Sequence, residues 1–166
     1  MGYAVRRAAA LVVALLLGGG GLAPSRAQDD KPAAKDTAKI EACLKAKPLA
    51  QETCIGIVAD PCLESDQTKS TADQNACNDH EARLWDAILN TSFRRLRDKL
   101  DEAQKVKLRD MQRAWIVSKE KTCAFYWDYY QGTMASPMGS YCVMKETGRR
   151  ALFLRAFLED DAGGTK

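Results

Sequence analysis

Chemistry in this chain is concentrated in sulfur. Six cysteines, Cys43, Cys54, Cys62, Cys77, Cys123 and Cys142, stand beside a single histidine, His80. No Cys-x-x-Cys pair occurs and one imidazole cannot complete a nitrogen and sulfur ligand set, so neither a metal nor any other cofactor is expected. An even cysteine number in an exported chain reads instead as three disulfides made in an oxidising compartment. Acid/base chemistry has a weaker claim. His80 lies between Asp79 and Glu81, but successive helical residues point 100° apart and a catalytic base needs its partner within about 3 Å; the residue reads as a solvent-facing histidine. Glu159, Asp160 and Asp161 read as a frayed acidic end, not as a carboxylate pair held at glycosidase spacing. There is no Gly-x-Ser-x-Gly elbow, phosphate-cradling glycine loop or His-Glu-x-x-His motif. The chain is not expected to be an enzyme.

Recognition has better support than turnover. The segment from Gln112 to Cys142 combines a helical apolar rhythm, an aromatic burst and a glycine between two cysteines. Phe125, Tyr126, Trp127, Tyr129 and Tyr130 put five aromatics into six positions. They cannot all face inward from one helix, and exposed Tyr and Trp are common contact residues. A loop tip from Trp127 to Ser140 is therefore the candidate partner-binding region, with Trp127, Tyr129, Tyr130, Gly132, Thr133, Ser136 and Tyr141 as its contact residues. The competing reading packs these rings against the Cys43 to Cys62 lead-in. Trp85 and Trp115 fall on apolar stripes and are assigned to the core.

The frame that must position these residues begins after an export signal. Arg6 and Arg7 precede an apolar run from Ala8 to Leu17, four glycines and Ser25-Arg26-Ala27, the pattern of a secretory signal peptide over residues 1–27 cleaved near Ala27. The run is shorter than the roughly 20 residues a membrane span needs. A periplasmic or secreted protein follows. The whole chain has 25 basic and 22 acidic residues; the signal holds Arg6, Arg7 and Arg26 and no acid, which leaves 22 against 22. Without a basic excess, nucleic acid and anionic membrane are not expected partners.

The mature chain reads as all-α. Residues 28–38 are polar, alanine-rich and free of aromatics, and are expected to form a flexible linker before a helical domain over 39–160 and a polar tail over 161–166. Short helical pieces stop at Pro48 and Pro61. Ser70-Thr71 with Gln74 opens a first long helix whose apolar residues recur at threes and fours from Cys77 to Leu100. Asp101 with Gln104 opens a second, and the two rods, each about 43 Å, are expected to form a tight antiparallel hairpin. Ser136 and Pro137 signal the start of a third, with Phe153 and Phe157 on its inner face. Fifteen cysteine pairings are formally possible. A helical return about Gln131-Gly132 sets Cys123 opposite Cys142, and a strap from Cys62 to Cys77 leaves Cys43 with Cys54, a sequential pattern. Each bridge contributes about 3 kcal/mol in the chain-entropy picture.

These residues resemble a known family. Asn75-Ala76-Cys77, "WDAILN" from Trp85, "LRDMQRAWI" from Leu108, Cys123, Gly132-Thr133, and Cys142 followed by Thr147, Arg150 and Leu154 are similar to the LprI-type lysozyme inhibitor N-terminal domain, over roughly residues 60–158. The resemblance implies a small, helical, disulfide-bonded envelope protein whose partner is a lysozyme, and it agrees with pairing Cys62 to Cys77. Gln131-Gly132-Thr133 departs from the family's common Gly-Gly before Ser or Thr, and Cys43 and Cys54 are an addition. The expected function is non-covalent occlusion of lysozyme by the loop between the second and third long helices. The alternative is a structural or chaperone-like envelope protein with a different protein partner.

Overall fold

The fold is seen in a computed structural model that describes residues 30–162, with side chains from 33 to 159. The expected signal peptide, its cleavage point and the end of the polar tail lie outside the described residues. Five α-helices follow in order: α1 (Asp30–Ala46), α2 (Ala59–Leu63), α3 (Thr71–Lys99), α4 (Glu102–Tyr130) and α5 (Gly132–Ala162), with a 3-10 turn at Gln51–Cys54 between the first two. No strand occurs among the described residues.

Local chemistry starts the two middle rods. Ser70 accepts from the Asp73 amide at 3.1 Å while the Asp73 carboxylate accepts from the Ser70 amide at 2.9 Å. The capping box therefore closes on Asp73 and not on Gln74, because with Ser70 as cap the third helical residue is Asp73. The Ser70 hydroxyl and amides hold the Asp73 carboxyl below its usual range. At α4 the box joins Asp101 and Gln104 as their spacing predicts.

Packing departs from a two-rod hairpin. α5 lies between α3 and α4 and packs on both, and those two meet closely only near the turn that joins them. The reason is in the side chains: α5 buries Cys142, Met144, Ala151, Leu152, Leu154 and Leu158, whereas α4 buries only Leu108 and Cys123. A helix apolar on most of its circumference takes the centre. Ile40, Leu44, Ile55 and Val58 from the lead-in close the core over Trp85, Ile88, Leu89, Met144 and Leu154. Trp85 is fully buried and Trp115 packs on the margin of the core. Phe153 and Phe157, expected inside, are 44% and 45% exposed.

Two further expectations are corrected. α1 begins at Asp30, well before Lys39. Thr37 Oγ1 bonds the Ala33 carbonyl, Lys39 pairs with Asp36 at 2.8 Å, and Asp36 reaches His80 Nε2 at 3.0 Å, so the polar stretch read as a linker is tied to α3. His80 is accordingly a half-buried partner of Asp36, not a solvent-facing residue. α5 begins at Gly132 and runs through Pro137. Proline there removes the bond to the carbonyl of residue 133. Side chains of α3 hold the same turn from outside: Asn78 Nδ2 lies 3.3 Å from the Pro137 carbonyl and 3.0 Å from Ser140 Oγ, and Asn75 donates to Ser136.

The lead-in is fixed by a residue that periodicity did not single out. Glu81 is fully buried, and its carboxyl oxygens accept from the amides of Gly56, Val58 and Ala59 at 2.7, 2.9 and 2.6 Å and from Trp85 Nε1 at 2.8 Å. Disulfides complete the frame. Cys43–Cys54, Cys62–Cys77 and Cys123–Cys142 have Cα separations of 5.8, 5.7 and 5.4 Å, the sequential pattern read from the chain.

Candidate functional site

The region between Trp127 and Ser140 is a corner and not a loop. α4 ends at Tyr130, Gln131 turns the chain with φ 43°, and α5 starts at Gly132 with φ 58°. Two consecutive residues at positive φ are costly for side chains other than glycine, and Gln131 accepts that cost in a full-sized residue. The Cys123–Cys142 bridge, about two to three helical turns back from the corner, holds the two helices together.

Aromatics surround this corner because α4 gives up its burial before it ends. Phe125 is 64% and Tyr129 69% exposed, and Trp127, Tyr130 and Met134 are each about half exposed. Their rings touch: Phe125 and Tyr129 centroids lie 5.8 Å apart, and Tyr129 and Tyr130 meet edge to face at 5.2 Å. Trp127 lies against the backbone of Gly139, where an added Cβ would come within 1.9 Å of the indole nitrogen. Glycine at 139 is thus what seats Trp127 across the corner. The result is a group of exposed apolar and hydroxyl-bearing residues around one turn, with Phe125, Tyr129 and Tyr130 in ring contact, and such exposure makes the corner the candidate contact site.

The structure divides the expected contact residues. Trp127, Tyr129 and Tyr130 on α4 and Gly132 and Thr133 in the first turn of α5 are all exposed at the corner. Ser136 is not free for a partner, since its hydroxyl is engaged by Asn75. Tyr141 is half-buried, packed against the core, with the Lys145 ammonium 5.9 Å from its ring. Phe125 and Met134 are exposed beside the first five, and the buried Gly139 seats Trp127. Phe125 was legible as part of the aromatic burst; Met134 and Gly139 carry no sequence signal until the helical register of α5 is known.

Well away from the corner, towards the start of α4, α4 and α5 are held by a buried guanidinium. Arg150 is 8% exposed, donates from Nε to Gln112 Oε1 at 2.9 Å, and stacks over Trp115 at 5.5 Å and Phe153 at 4.9 Å. Burial draws its pKa below the usual arginine value, and the two ring faces partly replace the missing counter-charge. All six cysteines are paired, so none offers a thiolate. The arrangement at the corner is suited to binding, through apolar area, ring edges and hydroxyls.

Comparison with known proteins agrees in kind. The family model described as Lysozyme inhibitor LprI matches residues 62–154, more than half of the chain. No curated protein and no solved structure matches. The match spans the Cys62–Cys77 strap, both middle rods, the corner and most of α5, leaving α1 and the Cys43–Cys54 staple as additions upstream. The chain therefore belongs to the LprI lysozyme inhibitor family.

Proposed function

We propose that the protein inhibits lysozyme by non-covalent occlusion, with the α4–α5 corner as the inserted surface. The observation that carries this reading is the exposure of Phe125, Trp127, Tyr129, Tyr130 and Met134 around a turn that a disulfide makes rigid. A lysozyme cleft holds catalytic carboxylates and sugar subsites, which accept aromatic faces and hydroxyl donors such as Tyr129, Tyr130 and Thr133. A clamped corner loses little conformational freedom on binding, so more of its contact energy appears as affinity. Charge also favours this end. Lysozymes tend to be cationic, and residues 94–113 at the far end carry eight bases against four acids, whereas residues 119–141 around the corner carry two of each.

Three disulfides and family membership fit an extracytoplasmic location, and we infer that residues 1–27 direct export and are removed. The test uses oxidised protein spanning residues 28–166 in a lysozyme assay on cell-wall substrate. The parent should inhibit at micromolar excess. Loss of one central ring costs about 2 kcal/mol at a hot spot, so Tyr129→Ala and Tyr130→Ala should each raise the inhibition constant roughly 30-fold. An inactive parent would end the inhibitor reading and leave the structural or chaperone-like one. Full activity in the Tyr129→Ala/Tyr130→Ala double variant would move the contact away from the corner.

A further inference from the structure

The opposite end of α4 carries a hollow that the inhibitor reading does not use. Where α3 turns into α4, Leu96, Leu100, Leu108, Met111 and Phe157 line a cavity of about 480 Å³, and Lys99, Gln104 and Lys107 stand at its rim. Its size lies within the usual range for small-molecule sites, which are mostly apolar with a few polar groups to fix orientation.

We propose that this hollow binds the alkyl chain of a free long-chain carboxylate, with the carboxylate held at the rim by Lys107. The floor is recessed: Leu96 and Leu108 are 6% and 5% exposed, and Leu100 and Met111 are partly buried against the core. Phe157 forms a half-exposed lip, braced edge to face by Phe153 at 5.2 Å. Arg150, 4.9 Å from the Phe153 ring, has a buried Nη2 without a hydrogen-bond partner and no carboxylate pairs with it among the described residues. Its charge adds to the eight bases and four acids of residues 94–113, so an anionic head group is favoured at this end.

The same facts disfavour other occupants. A second copy would bring two basic ends together. A bilayer selects protruding apolar side chains, whereas these are sunk between helices behind one lip. A cavity of this size suits a single chain, and long lysine stems can lie along apolar surface while their ammonium groups reach the head group.

The experiment is calorimetric titration of the full mature chain with octanoate, decanoate and dodecanoate, each below its micelle concentration, and with 1-dodecanol. Each added methylene should tighten binding by about fourfold until the hollow is full. Lys107→Glu is a surface change that leaves the fold intact; it should weaken dodecanoate at least fivefold and leave dodecanol unchanged. Affinity independent of chain length, no saturable dodecanoate binding, or an unchanged dodecanoate affinity in Lys107→Glu would each overturn the proposal. So would association with phosphatidylglycerol vesicles in the absence of monomer binding. Lysozyme inhibition is not the readout, so this result stands or falls independently of the corner.

Discussion

α4 ends in two corners built by different means. At Leu100-Asp101 the turn is made by hydrogen bonds: Asp101 and Gln104 cap each other's amides, backbone angles are ordinary, and no disulfide is near. At Gln131-Gly132 no side-chain cap is seen, both residues sit at positive φ, and Cys123–Cys142 supplies the constraint. The first corner is polar and basic around an apolar hollow; the second is near neutral and covered in exposed rings. A capping box satisfies the orphan donors of a helix start and leaves the turn able to breathe. A covalent bridge holds a turn that its own backbone disfavours, which lets the chain present apolar side chains there without collapse. The comparison separates stabilising a turn from pre-organising a surface.

Neither corner should carry the largest stability effect. Glu81→Leu leaves the amides of Gly56, Val58 and Ala59 buried without acceptors, and each such group costs about 1–3 kcal/mol. Denaturant unfolding should show a loss of at least about 3 kcal/mol, enough to unfold a weakly stable domain. The comparison between corners is sharpened if whatever remains folded still inhibits with parental affinity. Next comes the Cys123→Ser/Cys142→Ser double variant, expected to lose about 3 kcal/mol and, unlike Glu81→Leu, to lose inhibition in the fraction that stays folded. Retained inhibition there would show that the clamp is not what organises the surface. At the other corner, Asp101→Ala should cost about 1 kcal/mol with inhibition untouched. Gly132→Ala belongs in the same range, about 1 kcal/mol, and it isolates backbone strain because nothing lies within 4 Å of the added carbon.

The contrast also explains what could be read from the chain. The Asp101–Gln104 corner was legible because a capping box is written in two residues three apart. The disulfides were legible because helix lengths and sequential spacing leave each cysteine near its neighbour in the chain. The Gln131 corner was misread as a loop: Ser136-Pro137 is a good local start signal, but the helix begins at Gly132 and both residues lie inside it, tied to Asn75 and Asn78 some sixty residues earlier. The start of α1 failed likewise, since residues 28–38 have no apolar stripe, and the described part from Asp30 onward is tied to α3 where Asp36 meets His80. Glu81 was invisible because a charged residue on a helix normally reads as solvated, and only the returning lead-in turns it into an acceptor for three amides.

The smallest effect lies between the corners, in two carboxyls shifted in opposite directions. Asp36 is held below the usual carboxylate value, first by the hydrogen bond it accepts from Lys39 and then by the one from His80, with burial opposing. A depressed carboxyl contributes stability that is present above its unfolded value and fades as pH falls through the lowered one. Asp60 is raised, first by burial and then by the nearby Glu81 carboxyl. Its sign is reversed: folding favours the protonated form, so its contribution is present below the unfolded carboxylate value and is lost as pH rises through the raised one. At neutral pH an ionised Asp60 therefore opposes folding, and Asp60→Asn, which keeps the shape of the side chain, should raise stability slightly at pH 7 and not at pH 3. Asp36→Asn should do the reverse, lowering stability at pH 7 and converging with the parent in acid. Thermal unfolding of both variants across pH 3 to 7 reads the difference, and parallel curves for the two would show that neither carboxyl is coupled to folding. Inhibition measured at pH 7 should be unchanged in both, because neither Asp36 nor Asp60 is among the exposed rings and hydroxyls at the corner.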